Sequence, residues 1–334
     1  MMRTTGLFKF AALIFAAILG LGALAYAISP GERRAEAATT EARAGVDDSV
    51  PDDVAVESEQ ARPAGGAVCT AAGATRPLGA EIHESSGVAV SRAHAGIFWT
   101  HNDSGDPVLY AVDGDGRTAG RVRVTGAAVE DWEDVALAPC PAGGDCVYVA
   151  DIGDNDAERP SVTVYRVREP APGDARSAPA EAIRLRYPDG PHDAEALFVL
   201  NGAIHIVTKG ESGPIAVYRA PRSASAGAEA ALERVRVLTA DRVKRGDRIT
   251  GADASADGRW VVMRTLEAAS LYSAAGLAGN GAPRRVDLKR LNEAQGEGIA
   301  FAPDGSLVVT SEGGKKKSPA TFARLSCSLA RASG

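Results

Sequence analysis

Five segments of the chain share one pattern of polar and apolar positions. Each has a polar residue, a short apolar strand, a turn and a second apolar strand that ends in polar residues. The segments begin at Ser86, Glu133, Glu195, Thr250 and Glu297. The second strands are predicted at residues 97–103, 147–151, 203–209, 259–264 and 306–312. Asn-Gly or Asp-Gly pairs at 201–202, 257–258 and 304–305 suit tight hairpin turns, so the paired strands are predicted to be antiparallel.

A third and a fourth apolar strand follow in the first four segments. The third strands are predicted at 108–113, 162–167, 215–219 and 269–272, and the fourth at 120–124, 182–187, 234–238 and 285–288. The segment starts lie 47 to 62 residues apart, which is typical of four-stranded propeller blades. We therefore predict an all-β, five-bladed propeller rather than a sandwich, and the pattern leaves a sixth blade open.

The last segment ends one strand short, because residues 319–327 supply a third strand and few residues follow. The segment 67–75 precedes the first blade, and its pairing with the last blade would close the ring and remove both open sheet edges. That closure places Cys69 beside Cys327 and leaves Cys140 near Cys146. We predict both pairs as disulfides, since neither pair has the spacing of a zinc knuckle.

The N-terminus predicts export. Arg3 and Lys9 precede an apolar run over 10–28, and Ala25-Tyr26-Ala27 has the small-x-small pattern of a signal-peptide cleavage site. The run is also just long enough for a retained membrane anchor, so residues 1–27 are a signal peptide or an anchor. Residues 28–66 carry nine acids, four arginines and almost no large apolar side chains, which predicts a disordered acidic linker. The propeller then occupies 67–334 and lies outside the cytoplasm, secreted, periplasmic or anchored.

The distribution of charge along the chain limits the classes of partner that we expect. The whole chain carries a formal charge of −6, to which the linker contributes −5, Arg3 and Lys9 contribute +2, and the residues after 66 contribute about −3. The remainder of the chain is close to neutral and has no basic patch for phosphate backbones, which argues against nucleic acid. We expect a monomer that binds either a small anionic ligand or a cell-surface partner.

Candidate site residues lie on the innermost strand of each blade, because equivalent positions of a closed ring face one channel. Glu133, Glu195 and Glu297 are therefore predicted to meet on the axis, where Ca²⁺ would satisfy their charge. Lys209 and Arg264 are predicted to bind an anionic substrate. They could instead neutralise the three acids themselves, which would make the ring an ion-pair network without metal.

Two further residues are candidates for activating water, Asp151 and His101. Asp151 opens an acid-rich loop, 151–156, that resembles a calcium loop without the alternation and terminal Glu of an EF-hand, and a polar turn is the other interpretation. His101 is either a catalytic base or a hydrogen-bonded rim residue. The sequence contains no Gly-x-Ser-x-Gly elbow, His-Glu-x-x-His motif or phosphate loop.

Several short motifs resemble a family of secreted bacterial propellers to which no reaction is assigned. The matching segments are 84–87, 101–105, 131–134, 151–155 and 192–195. Residues 82–85 and 295–299 are similar to segments of calcium-activated nucleotidases, five-bladed propellers that hold axial Ca²⁺ and hydrolyse nucleoside diphosphates. Phytase-like and lactonase-like propellers also surround an axial calcium with acids. These resemblances imply that a cation binds on the axis, and they do not imply a particular substrate.

Two functions remain in competition. One is a Ca²⁺-dependent hydrolase of a small anionic, phosphate-containing substrate, with the roles assigned above. The other is a non-catalytic cell-surface propeller that binds a protein or a glycan. A passive structural domain is a third reading, in which the ring acids affect stability alone.

Overall fold

The computed structural model describes residues 68–314 and 318–329. The predicted signal or anchor at 1–27 and the linker at 28–66 lie outside the described residues. Within the described ranges, no helix is long and apolar enough to cross a membrane.

The described residues form 22 strands, which include every strand that the repeat pattern predicts. The first two are β1 (Val68–Ala71) and β2 (Arg76–Pro77). Blade 1 contains β3 (Ser85–Val90), β4 (Phe98–Asn102), β5 (Val108–Val112) and β6 (Thr118–Arg123). Blade 2 contains β7 (Trp132–Pro139), β8 (Asp145–Asp151), β9 (Val162–Arg168) and β10 (Glu181–Arg186). Blade 3 contains β11 (Ala194–Leu200), β12 (Ala203–Thr208), β13 (Ala216–Arg219) and β15 (Glu233–Val237).

Two more blades complete the ring. Blade 4 contains β16 (Ile249–Ala254), β17 (Trp260–Thr265), β18 (Ala268–Ser273) and β19 (Arg284–Asp287). Blade 5 contains β20 (Gln295–Phe301), β21 (Leu307–Glu312) and β22 (Thr321–Ser328). The described helices are short: α1 (Ala274–Ala278) and 3₁₀ turns at Arg245–Asp247 and Lys289–Leu291. The all-β, five-bladed propeller is confirmed, and the described strands form no sixth blade.

The N-terminal strand closes the ring. β1 pairs antiparallel with β22 and becomes the outer strand of blade 5, as predicted. Cys69 lies directly opposite Cys327 in this register, and the two form a disulfide across 258 residues of sequence. Cys140 and Cys146 form the second bridge. Two disulfides and no free cysteine among the described residues suit an oxidising, extracytoplasmic compartment.

The core is divided among the blade interfaces. The inner strands β3, β7, β11, β16 and β20 each pack against the next, and β20 packs against β3. Apolar side chains fill the space between neighbouring blades in five clusters, one per interface. This arrangement leaves the polar ends of the inner strands around the axis.

Close approach of the inner strands requires glycine at the second position of the repeat in blades 1 and 5. A Cβ at Gly87 would lie 2.5 Å from the backbone nitrogen of Val135, and one at Gly298 would lie 2.8 Å from that of Val88. Side chains at these positions would therefore separate neighbouring blades.

Blade 2 has Asp134 at the same position, and it joins three blades. Its carboxylate is fully buried and accepts hydrogen bonds from the backbone nitrogens of Val135 (2.8 Å), Leu197 (2.9 Å) and Ala252 (3.1 Å). Burial raises the pKa of Asp134, and these three donors oppose that shift. Blades 2, 3 and 4 thus share one acceptor near the axis.

One strand departs from the blade pattern. The connection between β13 and β15 contains β14 (Glu229–Ala231), which pairs parallel with β10 at the outer edge of blade 2. Arg186 and Arg184 reinforce this contact through ion pairs with Glu229, at 3.1 and 3.4 Å. The chain therefore returns from blade 3 to blade 2 before it completes blade 3.

Candidate functional site on the propeller axis

A β-bulge lies at the start of every inner strand. The register shifts between Ser85 and Val88 in blade 1, and corresponding shifts occur in the other four blades. The residues that the shifts displace from the ladders include the five repeat starts: Ser86, Glu133, Glu195, Thr250 and Glu297. Bulges re-aim side chains, and these five all line one cavity on the axis. The sequence-based expectation that they face a common channel holds.

The axial cavity has a volume of about 290 Å³ and a strongly polar lining. Six carboxyl groups contribute to the lining: Asp103, Asp131, Glu133, Glu195, Glu297 and Glu312. Three cations contribute as well: Lys209, Arg245 and Arg248. Hydroxyl and amide groups complete the polar lining: Ser86, Thr250, Asn155 and Gln295. Negative charge therefore exceeds positive charge in a partly desolvated space.

Lys209 neutralises Glu195. The ammonium group follows β12 directly, forms an ion pair with Glu195, and lies 3.4 Å from Asp193 and 3.6 Å from Glu211. Burial is the largest single effect on the pKa of Lys209 and lowers it, but the charge and hydrogen bond of Glu195, together with the charges of Asp193 and Glu133, outweigh burial and raise the pKa. Burial raises the pKa of Glu195 to about 7, against the opposing effect of Lys209. Lys209 thus acts as a built-in cation on the axis.

Glu133 has no such partner. The residue is only 7% exposed, and no hydrogen bond to its carboxylate comes from the described part of the chain. Its Oε1 and the Oδ2 of Asp131 each lie 2.3 Å from the position that a Cβ would take at Gly153, so the two carboxyl groups are close neighbours. Burial, followed by the charges of Glu195 and Asp131, raises the pKa of Glu133 well above its usual range.

A second acidic group lies on the blade 5 side. The Nε2 of Gln295 donates to Glu312 at 2.9 Å, and Gln295 also hydrogen-bonds Glu297. Burial raises the pKa of Glu297 well above normal and that of Glu312 to about 7. Asp103 is raised to a pKa of about 6, first by burial and then by its hydrogen bond with Glu84. Glu312 and Asp103 therefore titrate near neutrality.

Arg264 does not line the cavity. Its side chain is fully buried and forms an ion pair with Glu293, while its Nη1 donates to the carbonyl oxygens of Gly298 (3.0 Å) and Thr310 (3.1 Å). Every guanidinium nitrogen already has an acceptor. Arg264 therefore holds blade 4 against blade 5, and its expected role in binding an anion gains no support from this position.

Asp151 lies beneath the cavity rather than in its lining. The carboxylate pairs with Arg159 at 3.1 Å and accepts from the backbone nitrogens of Glu130 and Asp131. Asp154 of the same loop accepts from the nitrogens of Glu158 and Arg159. The loop is thus organised by its own arginine and backbone, as in a polar turn. Asp151 orients the segment that carries Asp131, and its role in activating water stays a prediction.

His101 is also outside the lining. The imidazole is fully buried, with its ring edge-on to Trp132 and its Nδ1 3.0 Å from the carbonyl oxygen of Asn102. Burial lowers the pKa of His101 to about 4, so the ring is neutral at physiological pH. Asp103, two residues further along the chain, lines the cavity instead.

The expected calcium site would use three of the described carboxyl groups of the axial cavity. Lys209 occupies one side of Glu195, and no three His, Cys, Asp or Glu residues of the described chain are arranged to hold a metal ion. Ca²⁺ would require at least six oxygen ligands to converge. Calcium at Glu133, Glu195 and Glu297 therefore stays a prediction, and the alternative of an ion pair with Lys209 is realised at Glu195.

Several lining residues were given no role from the sequence, among them Asn155, Arg245, Arg248, Leu266 and Gln295. Gln295 lies two residues before Glu297, and the two-residue period of a strand is a signal that could have found it. Asn155 belongs to the acid-rich loop. The two arginines lie in the connection from blade 3 to blade 4, where no pattern distinguishes them.

No protein-family model matches the chain, and no curated protein sequence matches it. Several solved structures are similar to it. The PQQ-bound aldose sugar dehydrogenase of Streptomyces coelicolor is 12% identical over 80% of this chain and 100% of that one, with a TM-score of 0.49. The apo-form soluble aldose sugar dehydrogenase of Escherichia coli is 11% identical over 78% and 99%, with a TM-score of 0.44. Regucalcin of Agrobacterium tumefaciens, a calcium-binding protein, is 15% identical over 75% and 94%, with a TM-score of 0.40. Similarities with identities and TM-scores this low do not indicate a function for this chain.

The raised pKa values predict a stability that falls with pH. Burial raises the pKa of Glu195, Glu312 and Asp253 to about 7 in the folded chain, against about 4 when unfolded. The folded state binds more protons between these values, so their contribution is fully present below pH ~4 and lost as pH rises through about 7. His101 and His205, each with a pKa of about 4, oppose this only below about 6.5.

We therefore expect a higher melting temperature at pH 6 than at pH 8 at constant ionic strength. Glu312→Gln removes one of the titrating groups and should reduce the difference. Glu158→Gln, on the exposed loop, should leave it unchanged. A melting temperature that rises from pH 6 to pH 8 would contradict the protonation of these buried carboxyl groups.

Proposed function

We propose that the axial cavity binds a small polar ligand and that Glu133 contacts it. One observation carries this proposal: Glu133, a residue only 7% exposed, opens its carboxyl group into a polar cavity and accepts no hydrogen bond from the described chain. Carboxyl groups this little exposed are nearly always paired, and here a partner can come only from within the cavity. A ligand donor would supply the partner that the fold leaves out.

The size and chemistry of the cavity favour a small molecule. Its volume is at the lower end for ligand pockets, and its lining combines acceptors with hydroxyl, amide and cationic donors. A protein surface would not fill such a cavity, whereas the end group of a glycan could enter it. A cell-surface partner, as predicted from the sequence, would therefore bind through a small end group that enters the cavity.

Hydrolysis in the same cavity is the second candidate. Asp103 and Glu312 have pKa values of about 6 and 7, and a general acid and base are most effective when they titrate near the working pH. A phosphate ester would be the substrate expected from the sequence. Activity against nucleotides, phytate and lactones, assayed with chelator and with added Ca²⁺, tests this candidate, and no turnover under either condition would exclude these substrates.

Binding is tested with a panel of sugars, amines, phosphate esters and nucleotides, screened by thermal shift and then by calorimetry. Loss of a charged hydrogen bond weakens binding by at least ~10-fold. We therefore expect at least one compound to bind the natural chain and to bind Glu133→Gln at least ~10-fold more weakly. Glu158→Gln is the matched control and should bind as the natural chain does. Equal binding to all three proteins would place the ligand elsewhere and defeat the proposal.

A further inference from the structure

Charge is unevenly distributed around the axial cavity. The cations come from one side of the ring: Lys209 follows β12 in blade 3, and Arg245 and Arg248 lie between blades 3 and 4. All the lining acids except Glu195 come from the other blades. Asp131 and Glu133 belong to blade 2, Asp103 to blade 1, and Glu297 and Glu312 to blade 5. The lining therefore has a cationic side and an acidic side.

Pairing within the protein leaves charge available on both sides. Lys209 is committed to Glu195, Asp193 and Glu211, so it is a poor anchor for a ligand. Arg248 places one nitrogen 2.7 Å from Glu211, but its buried Nε has no partner within the described chain. Arg245 makes only a long contact, 3.4 Å, with Gln295. On the acidic side, Glu133 accepts no hydrogen bond from the described residues.

We propose that the ligand is a small zwitterion, with an ammonium group that contacts Glu133 and an oxyanion that contacts Arg245 and Arg248. This inference rests on the proposed binding function of the cavity. An ammonium group offers donors to the unpartnered carboxylate, and arginine suits carboxylate or phosphate oxygens. A single molecule then supplies the missing partners on both sides.

Simpler charged ligands fit less well. A bare anion would satisfy the arginines and leave the Glu133 carboxyl group without a donor. A bare cation would satisfy Glu133 and leave Arg245 and Arg248 on the cationic side without a ligand anion. Opposite charges at the two ends of one ligand match both sides, and a mismatch on either side would lower the affinity.

Phosphoethanolamine is the probe, with ethanolamine and inorganic phosphate as its two halves. Calorimetry with the full chain should show phosphoethanolamine binding at least ~10-fold more tightly than either half, since each half loses one charged contact. Glu133→Gln should weaken phosphoethanolamine and ethanolamine by at least ~10-fold and leave phosphate within about 2-fold. Arg248→Met should weaken phosphoethanolamine and phosphate and leave ethanolamine unchanged. Exposed Arg222→Met is the matched control and should alter none of them.

The possible failures are distinguishable. Phosphate or ethanolamine that binds as tightly as phosphoethanolamine would replace the zwitterion with a simple ion and overturn the inference. A neutral sugar that binds in a Glu133-dependent manner, without binding of phosphoethanolamine at about 10 mM, would overturn the inference and leave the proposed function standing. Failure of every compound in the panel would overturn both.

Discussion

Removal of the Cys69–Cys327 bridge should cost about 5 kcal/mol of unfolding free energy, more than any other change to the cysteines. The bridge joins residues separated by 258 positions, whereas Cys140 and Cys146 are separated by 6. In the chain-entropy model a cross-link stabilises by restricting the unfolded chain, and the effect grows with the loop that it closes. The double variant Cys140→Ala/Cys146→Ala should therefore lose only about 2 kcal/mol.

Urea unfolding of Cys69→Ala/Cys327→Ala and of Cys140→Ala/Cys146→Ala measures the difference between their unfolding free energies. Non-reducing peptide mapping of the natural chain verifies the pairing. Loss of the closing bridge should also release β1, which would show as faster hydrogen exchange in β1 and β22 than in the inner strands. Equal losses from the two variants would mean that ring closure does not depend on the bridge.

Asp134→Ala should be the most damaging change of a single side chain. It leaves three buried backbone N–H groups without an acceptor, those of Val135, Leu197 and Ala252. Each unsatisfied group costs about 1–3 kcal/mol, so the loss should be on the order of 4 kcal/mol. Because these amides belong to three blades, we expect blades 2, 3 and 4 to loosen together.

Chemical unfolding of Asp134→Ala and Asp134→Asn measures this effect. Asp134→Asn should fall between the natural chain and Asp134→Ala, because the amide keeps one acceptor oxygen and turns a donor toward the remaining N–H groups. The exposed Asp156→Ala is the control and should stay within about 0.5 kcal/mol of the natural chain. If Asp134→Ala loses less than about 1 kcal/mol of unfolding free energy, water replaces the carboxylate, and the Asp134 side chain does not hold the three blades together.

The repeat pattern predicts most of the fold because each strand follows from local chemistry. Alternating apolar residues mark the strands, and Asn201-Gly202 forms the expected turn with positive φ at both residues, 51° and 75°. Closure by β1 follows from the strand missing in blade 5. The parallel pairing of β14 could not be predicted, because three residues at an edge carry no periodicity that would choose a neighbour.

The site is predictable in position and less so in detail. Ring symmetry brings Glu133, Glu195 and Glu297 to the axis whatever their partners are. Symmetry says nothing about where a long side chain ends. Lys209 reaches the axis, whereas Arg264 turns into the interface between blades 4 and 5, where backbone carbonyls satisfy it. That choice depends on packing that the repeat does not encode.

The return of β14 to blade 2 restricts how this ring could gain or lose a repeat. Duplication or deletion of one blade requires a boundary at which no strand crosses, and the connection from β13 to β15 crosses the boundary between blades 2 and 3. A chain cut there would leave β14 on one fragment and its partner β10 on the other. The boundaries on either side of blade 4 carry no such exchange among the described strands. Relatives with an altered number of blades should therefore differ by insertion or loss next to blade 4, with blades 2 and 3 inherited as a pair.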